Sequence, residues 1–136
     1  MTWEPRPLPK RYPETRPYWE AAARGELRLP ECADCERLFF YPRGFCPSCL
    51  GSDLDWRPLS GTGTVHTYTV VERVPGWPED ALPVVYAYVD LDEGVRLPTN
   101  LVDVDPDDVT VGTSVDVRFV PTEEPDVAVP VFTLAE

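Results

Sequence analysis

The sequence predicts a mostly β protein in which a short helix and a small cysteine-rich module precede a closed barrel of five strands. Three observations lead to this prediction. All four cysteines of the 136-residue chain stand in two closely spaced pairs. Segments rich in β-branched residues recur after residue 60. Seventeen prolines against eight glycines favour short strands joined by fixed turns over long helices.

The cysteine pairs have the sequences Cys-Ala-Asp-Cys and Cys-Pro-Ser-Cys, with ten residues between them. Two such pairs can fold as adjacent knuckles and present four sulfur atoms to one tetrahedral metal ion. A closed site of this kind leaves no coordination position for water or substrate, so the metal is expected to be structural. We predict a structural zinc ion held by Cys32, Cys35, Cys46 and Cys49.

The residues around the cysteine pairs predict a rubredoxin-like zinc ribbon over residues 26–58. Leu38-Phe39-Phe40-Tyr41 predicts a strand between the two knuckles, and Leu54-Asp55-Trp56 predicts an exit strand. A core of this size depends on its metal for stability. Iron in a rubredoxin-like site would use the same four thiolates, and spacing alone does not separate it from zinc.

Two other chemistries of paired cysteines are disfavoured. A thioredoxin-type dithiol normally lies within a βαβ pattern, and this sequence has none. Disulfides need an oxidising compartment, and no signal peptide is visible in the proline- and arginine-rich residues 1–10. We therefore expect a cytoplasmic protein with reduced thiols.

Residues 1–25 predict an extended arm followed by a short helix. The arm is rich in proline, and the helix is expected to begin near Arg16 and to end at Gly25. An isolated helix of about two turns is marginal in water, so Tyr18 and Trp19 must pack against something. The sequence leaves open whether that surface belongs to the chain's own ribbon or barrel, or to a partner protein.

Residues 59–136 predict a small barrel of the oligonucleotide/oligosaccharide-binding (OB) type. Asp92-Glu93-Gly94 predicts a hairpin turn between the second and third strands. The helix that usually follows the third strand is reduced to a turn with the sequence Asp-Pro-Asp-Asp. The five predicted strands cover residues 63–71, 84–91, 95–104, 115–119 and 127–134.

The charge of the chain argues against a function that both predicted modules often serve, which is nucleic-acid binding. The net charge is -12, and after Pro58 only three basic residues stand against fifteen acidic ones. Nucleic-acid binding needs a basic groove with stacking aromatic side chains, whereas this barrel should repel a phosphate backbone. No run approaches the roughly 20 apolar residues that a membrane helix requires. A protein partner fits the composition better.

The remaining candidate site residues are a histidine and a group of aspartates. His66 is the only histidine. It lies in a predicted strand without a visible nucleophile or acid partner, so a structural or surface role is favoured over that of a general base. The aspartates lack the spaced glycine and terminal glutamate of an EF-hand loop, and they predict a solvated turn. They are Asp103, Asp105, Asp107 and Asp108.

Several stretches, taken together and in order, resemble the zinc-ribbon/OB-fold acyl-CoA-associated family, long catalogued as a domain of unknown function. The resemblance covers nearly the whole chain, and cysteines occupy all four metal-ligand positions of that family. The stretches are residues 13–22, the two cysteine pairs, residues 61–71, the Thr-Asn-Leu-Val sequence at 99–102, and residues 111–117.

The resemblance implies an accessory subunit, not an enzyme. Members of the family are accessory subunits of thiolase-like enzymes, including thiolase/hydroxymethylglutaryl-CoA synthase assemblies and lipid-transfer-protein-type aldolases of steroid side-chain degradation. We therefore expect a noncatalytic subunit that docks on a thiolase-like enzyme in lipid or steroid metabolism, with acyl-CoA at the shared surface. The CoA phosphates would need cations, which this chain offers at Arg24, Arg28, Arg37 and Arg43.

Clustered aromatic residues near the helix and the ribbon predict where the partner docks, because tryptophan and tyrosine are enriched at protein interfaces. The predicted interface contains Tyr18, Trp19, Phe39 and Phe40. Two alternative functions stay open from the sequence. The first is a rubredoxin-like electron carrier, and the second is a nucleic-acid-binding module built from a zinc ribbon and an OB barrel.

Overall fold

Within residues 2–135, which the computed structural model describes, the chain forms one α helix and seven strands. The order of elements confirms the predicted fold class, with a helix and a ribbon before a five-stranded closed barrel. Short 3₁₀ turns cover Glu79–Ala81 and Pro106–Asp108. The helix and strands are α1 (Arg16–Ala23), β1 (Arg28–Cys32), β2 (Leu54–Pro58), β3 (Thr62–Val71), β4 (Val84–Leu91), β5 (Arg96–Leu101), β6 (Ser114–Pro121) and β7 (Ala128–Leu134).

Helix α1 ends where a glycine permits a left-handed turn. Gly25 has a φ of 79°, and the amide of Glu26 donates to the carbonyl of Ala21 at 2.9 Å, which closes the last turn. Tyr18 and Trp19 are buried, and the helix packs against β1, β6 and β7. The helix therefore docks on the chain's own ribbon and barrel. In the part of the chain described here, no helix has the length and apolar content needed to cross a bilayer.

The ribbon contains a two-stranded antiparallel sheet in which β1 pairs with β2. The strand predicted at Leu38-Phe39-Phe40-Tyr41 is wrong, because only a single bridge joins Glu31 to Leu38 there. The amide of Phe39 donates to the carbonyl of Pro30 at 3.2 Å. Proline has no N–H to return that bond, so the pairing cannot extend along β1.

The barrel closes in the order β3-β4-β5-β7-β6. Strand β3 pairs with β4 along most of its length and with β6 at its beginning, so one strand belongs to both sides of the barrel. A bulge between Val65 and Thr67 bends it between the two partners. Gly63 lies where all three strands meet, and a Cβ atom at this position would overlap the carbonyl oxygen of Asp90.

The predicted turns of the barrel are present, and strand β5 is shorter than predicted. Gly94 has a φ of 93°, as the predicted hairpin turn requires. Strand β5 ends at Leu101, earlier than residue 104, and Asp103 follows with a φ of 53°. The 3₁₀ turn Pro106–Asp108 takes the place of the usual OB-fold helix. The barrel is thus a shortened OB fold.

One hydrophobic core joins the ribbon to the barrel. Leu27 and Leu29 lie at the start of the ribbon. They belong to the same buried cluster as Val65, Val89 and Phe132 of the barrel. The aromatic side chains of α1 lie in that cluster as well. Since apolar contact is continuous from one module to the other, the two modules stabilise each other.

The N-terminal arm lies against the barrel. The amide of Trp3 donates to the carbonyl of Pro121 at 2.9 Å, and its ring packs with Val120 and Val131 in a second small core. The guanidinium of Arg6 stacks on the Trp3 ring, and its Nε donates to the carbonyl of Trp3 at 2.8 Å. The arm is therefore part of the folded structure, although its sequence has no periodicity.

Candidate metal centre and apolar cleft

The four cysteine thiols converge at one point of the ribbon. Their Sγ atoms lie within 4.8 Å of one another. The distance is 3.5 Å between Cys32 and Cys49 and 3.5 Å between Cys35 and Cys46. Sulfur atoms bound to zinc at about 2.3 Å stand about 3.8 Å apart in a tetrahedron, so the spacing fits zinc. Among residues 2–135, these thiols are the only cluster of three or more potential protein ligands for a metal.

Each cysteine pair is held in a tight turn by its own backbone. The amide of Glu36 donates to the carbonyl of Cys32 at 2.8 Å, and the amide of Leu50 donates to the carbonyl of Cys46 at 2.9 Å. Glu36 and Leu50 have φ values of 62° and 64°, which residues with a side chain seldom adopt. The same turn therefore follows both pairs and directs all four thiols inward.

The four thiols differ in their burial and in their pKa values. Cys32 and Cys46 are buried with Phe39, and Cys35 and Cys49 are exposed. Hydrogen bonds from the backbone amides of Cys49 and then Ser48 help lower the pKa of Cys46 to about 6. Because metals bind the thiolate, the low pKa of Cys46 favours metal binding at this thiol near neutral pH. Backbone hydrogen bonds lower the pKa values of Cys35 and Cys49, but hydrogen bonds with the other thiols and desolvation outweigh them, so both pKa values are raised. Bound zinc would supply a structural cross-link and no open coordination position.

An apolar cleft of 340 Å³ lies between the ribbon, helix α1 and the barrel. No lining residue carries a charge, although 26% of the whole chain is charged. We call this feature the apolar cleft. Its lining consists of Tyr18, Trp19, Phe40, Tyr41, Val71, Val74, Trp77, Val84, Tyr86, Pro98, Thr99, Asn100, Val129 and Pro130.

The position of the apolar cleft matches the usual ligand site of the fold. OB folds bind their ligands on the second and third barrel strands and on the loop before the second strand. Here those strands are β4 and β5, which contribute Tyr86 and Asn100, and the loop contributes Trp77. The site that binds oligonucleotides in other OB folds is therefore apolar and aromatic in this chain.

The structure separates the four aromatic residues predicted as a partner interface. Tyr18 is 6% exposed, Trp19 is 9% exposed, and both line the apolar cleft from below the surface. Phe39 is 2% exposed and lies against the buried thiols. Phe40 is partly exposed and packs between Tyr18 and Tyr41. Of these four residues, only Phe40 presents an accessible aromatic surface.

The four predicted phosphate-binding arginines do not form one cluster of hydrogen bonds. Arg28 donates to the carboxylate of Glu26 at 2.6 Å, and Arg24 lies 4.0 Å from the same carboxylate. Arg37 donates to the hydroxyl of Ser48 on the second knuckle. Arg43 is exposed. The first two arginines are thus partly neutralised, and the last two belong to the ribbon near the metal centre.

His66 lies on the barrel surface at the bulge of β3. Its Nδ1 is 3.3 Å from the carboxylate of Asp90, which also accepts a hydrogen bond from Nε of Arg96 at 2.6 Å. This hydrogen bond from Arg96 lowers the pKa of Asp90, and the charge of His66 adds to the effect. All three side chains are substantially exposed. The arrangement is an ion-pair network on the surface.

The acidic turn has the structure expected of a solvated turn. The side chain of Asp105 accepts a hydrogen bond from the amide of Asp107 at 2.9 Å and caps the 3₁₀ turn. Asp103 pairs with Arg118 on β6. Asp103 and Asp105 therefore have local partners, and the four aspartates do not group as potential metal ligands.

Sequence reasoning missed the aromatic residues of the barrel face and the buried Arg6. Tyr86 and Tyr88 project outward because Val85, Ala87 and Val89 alternate with them and face the core. That alternation was a usable signal for an exposed aromatic pair. The sequence contains no such signal for the burial of Arg6, because this residue stacks on Trp3 and Trp77, which only the folded chain brings together.

The ribbon with four converging thiols and the closed barrel define a zinc-ribbon/OB-fold protein. Residues 19–55 match the family model described as ChsH2, rubredoxin-like zinc ribbon domain. Residues 56–120 match the model described as ChsH2, C-terminal OB-fold domain. The chain belongs to the DUF35 family, as the comparison with curated relatives also shows. The predicted family resemblance and the predicted zinc ribbon are confirmed.

Three relatives illustrate the range of the family. A DUF35 domain-containing scaffold protein of Methanothermobacter thermautotrophicus is 33% identical over 87% of this chain and 78% of its own length. A probable enoyl-CoA hydratase alpha subunit of Thermomonospora curvata is 36% identical over 93% of this chain, which spans only 39% of that relative. Benzoylsuccinyl-CoA thiolase subunit BbsA of Thauera aromatica is 29% identical over 65% of this chain and 68% of its own length.

A solved structure has the same fold over nearly the full length. It is described as an Ltp2-ChsH2(DUF35) aldolase, and the matching chain is 35% identical with a TM-score of 0.83. The match covers 94% of this chain and 99% of that chain. The ribbon, helix and barrel are therefore arranged similarly in the two proteins.

Proposed function

We propose that the protein is a noncatalytic subunit that docks on a thiolase-like enzyme and supports the acyl-CoA chemistry of that enzyme. The observation that carries the proposal is the near full-length match to the DUF35 chain of an aldolase structure. Relatives named as a scaffold protein and as a thiolase subunit support the same role. The enzyme subunit would hold the reacting groups, and this chain would order it.

The chemistry of the described residues supports a noncatalytic role. The apolar cleft is lined without a carboxylate, histidine, lysine or arginine that could move a proton. His66 and Asp90 form an exposed pair outside the cleft, where water would compete with any substrate. Four thiolates complete the coordination of a structural zinc and leave no open position for a reacting atom.

Exposed aromatic side chains near the apolar cleft support a docking surface on β4. Tyr41, Tyr86 and Tyr88 are each 40% to 43% exposed. The rings of Tyr86 and Tyr88 are 6.2 Å apart, so they form one patch. Aromatic anchors of this kind contribute much of the binding free energy at protein interfaces. We assign the docking surface to Tyr86 and Tyr88 together with the neighbouring aromatic residues of the ribbon, Phe40 and Tyr41.

Arg37 and Arg43 are the better candidates for contact with CoA phosphates. They lie on the ribbon, and neither forms an ion pair with a carboxylate within residues 2–135, whereas Arg24 and Arg28 share Glu26. An arginine without a carboxylate partner can offer its full charge to a phosphate. The proposed CoA contact therefore lies on the ribbon side of the docking surface.

Reconstitution with the thiolase-like enzyme that co-purifies from the native host tests the proposed function. We expect the wild-type chain to form a stable complex on size-exclusion chromatography and to raise acyl-CoA turnover. Tyr88→Ala should weaken the complex by about 2 kcal/mol, or roughly thirtyfold, with activity recovering at excess subunit. Tyr12→Ala is the control. Tyr12 is also an exposed tyrosine, at 51%, but it lies on the N-terminal arm and outside the proposed docking surface, so this change should leave the complex intact.

Two results would contradict the proposal. Full turnover by the enzyme alone would remove the need for this chain as a supporting subunit. Turnover of an acyl-CoA by this chain without a partner would show that it is an enzyme itself.

A further inference from the structure

We infer that the apolar cleft binds the hydrocarbon part of a neutral acyl ester or thioester. This inference deepens the proposed function and rests on it in one respect, because the acyl-CoA enzyme of that proposal would supply the ligand. The binding itself is a property of this chain alone. It can therefore be measured without the enzyme partner.

The shape and lining of the apolar cleft suit a small ligand. Its volume of 340 Å³ falls within the range of about 300–1,000 Å³ typical of small-molecule sites. The lining is mostly apolar and aromatic, and the hydroxyl of Thr99 and the amide of Asn100 are its polar groups besides those of the aromatic side chains. Such sites take an apolar body and fix its orientation with a few polar groups.

The charge pattern favours a neutral ligand over an anionic one. None of the lining residues is a cation that could pair with a carboxylate or a phosphate. The loop between β3 and β4, which contributes Val74 and Trp77 to the lining, carries Glu72, Glu79 and Asp80 against one cation, Arg73. A fatty acid carboxylate would therefore meet no cation in the lining and a bordering loop of net negative charge, whereas an ester or thioester carries no charge.

Trp19 offers a hydrogen bond that the folded chain leaves unused. Its Nε1 is buried and has no acceptor among the described residues, although the side chain lines the apolar cleft. A buried donor without a partner costs free energy. A ligand carbonyl that brings an acceptor into the cleft can relieve this cost, and an ester or thioester carries one.

A protein segment suits the cleft less well than a small ligand. A stable protein interface buries about 800 Å² on each partner, which requires a broad surface. The apolar cleft is a concavity whose deepest residues, Tyr18 and Trp19, are almost fully buried. The exposed ring of Tyr88 lies outside this lining and offers the broader surface for a protein.

Calorimetric titration of the zinc-loaded chain with S-decanoyl-N-acetylcysteamine tests the inference directly. This probe is an uncharged thioester with a hydrocarbon chain. We expect saturable binding with one site per chain. S-acetyl-N-acetylcysteamine, which lacks the long chain, and decanoate, which carries a charge, should each bind at least about tenfold more weakly.

Two tyrosines on the same strand provide a matched pair of variants. Tyr86 and Tyr88 are 43% and 42% exposed, but only Tyr86 lines the apolar cleft. Tyr86→Ala should weaken probe binding about tenfold, and Tyr88→Ala should leave it unchanged. Trp19→Phe keeps an aromatic ring but removes the N–H donor, so it should weaken binding about fivefold.

The results separate the inference from the proposed function. Absence of probe binding, or equal loss in Tyr86→Ala and Tyr88→Ala, would overturn the ligand site. If the probe fails to bind but the enzyme complex forms and both variants weaken it, the face is a protein interface only. Probe binding without any enzyme complex would support the ligand site and contradict the docking role.

Discussion

The guanidinium carbon of Arg6 lies 4.2 Å from the centre of the Trp3 ring. The same guanidinium is 5.3 Å from the centre of the Trp77 ring, and the two indoles meet edge to face at 5.5 Å. Trp77 also lines the apolar cleft. The N-terminal arm therefore holds the loop that forms one border of the cleft.

Replacing Arg6 tests this connection. Arg6 is 8% exposed, and Arg6→Ala removes a cation–π contact, one buried hydrogen bond and one partly buried hydrogen bond. We expect the free energy of unfolding to fall by about 1–3 kcal/mol in a denaturant titration. Arg11→Ala removes a largely exposed ion pair with Glu124 and should cost less than about 1 kcal/mol. Equal effects of the two changes would show that the stacked arrangement adds no stability.

Metal content is the second prediction. Purified protein should contain one zinc ion per chain by mass spectrometry under native conditions, and a strong chelator should unfold it. Cys46→Ser should reduce zinc content and lower solubility, because zinc bound to four thiolates contributes on the order of 10 kcal/mol. Ser48→Ala is the control, because Ser48 lies in the same knuckle without being a ligand. Iron in place of zinc would favour the electron-carrier alternative.

Trp19→Ala tests whether this residue is core. Because Trp19 is 9% exposed and packs edge to face with Tyr18 at 4.8 Å, the change should cost about 3–5 kcal/mol of stability. Thermal unfolding followed by circular dichroism measures this loss. Tyr12→Ala, at an exposed position, should shift the midpoint far less. A stable Trp19→Ala variant would mean that helix α1 contributes little to the core.

Asp90→Asn tests the ion-pair network on the barrel. The hydrogen bond from Arg96 lowers the pKa of Asp90 in the folded state, so the pair stabilises the protein above the unfolded-state pKa of about 3.9. This stabilisation is lost as pH falls through the folded-state pKa. Because the pair is exposed, we expect Asp90→Asn to cost about 0.2–1 kcal/mol at pH 7.

The difference between wild type and Asp90→Asn should vanish in acid, as measured by urea titrations over a pH series. Asp107→Asn is the control, since Asp107 forms no ion pair within residues 2–135. A difference that stays constant down to the lowest pH would indicate a packing effect instead of a charge effect.

Features set by local spacing could be predicted from the sequence. The interval between cysteines reflects the geometry of a tetrahedral ion, and it located the metal centre. The run of β-branched and aromatic residues at 84–91 predicted β4 with the bounds that the structure shows. The strand predicted at 38–41 failed because Pro30, on the neighbouring strand, cannot donate a hydrogen bond.

The apolar cleft could not be predicted in the same way. Tyr18, Phe40, Trp77 and Tyr86 come from four separate parts of the chain, and no local pattern connects them. Their meeting depends on how the ribbon and helix pack against the barrel. The burial of Tyr18 and Phe39, which the sequence predicts at a partner interface, is likewise decided by tertiary contacts that no local pattern records.

The shared core of ribbon and barrel has a consequence for the life of this protein in a cell. Strands β3 to β7 contain none of the cysteines, yet the buried cluster that they form is completed by Leu27 and Leu29 next to the metal-binding ribbon. When the ribbon loses its ion, the barrel loses that apolar cover and becomes a better substrate for proteases. We therefore expect the lifetime of the barrel to depend on the supply of zinc, although the barrel strands themselves contain no metal ligand among the four cysteines.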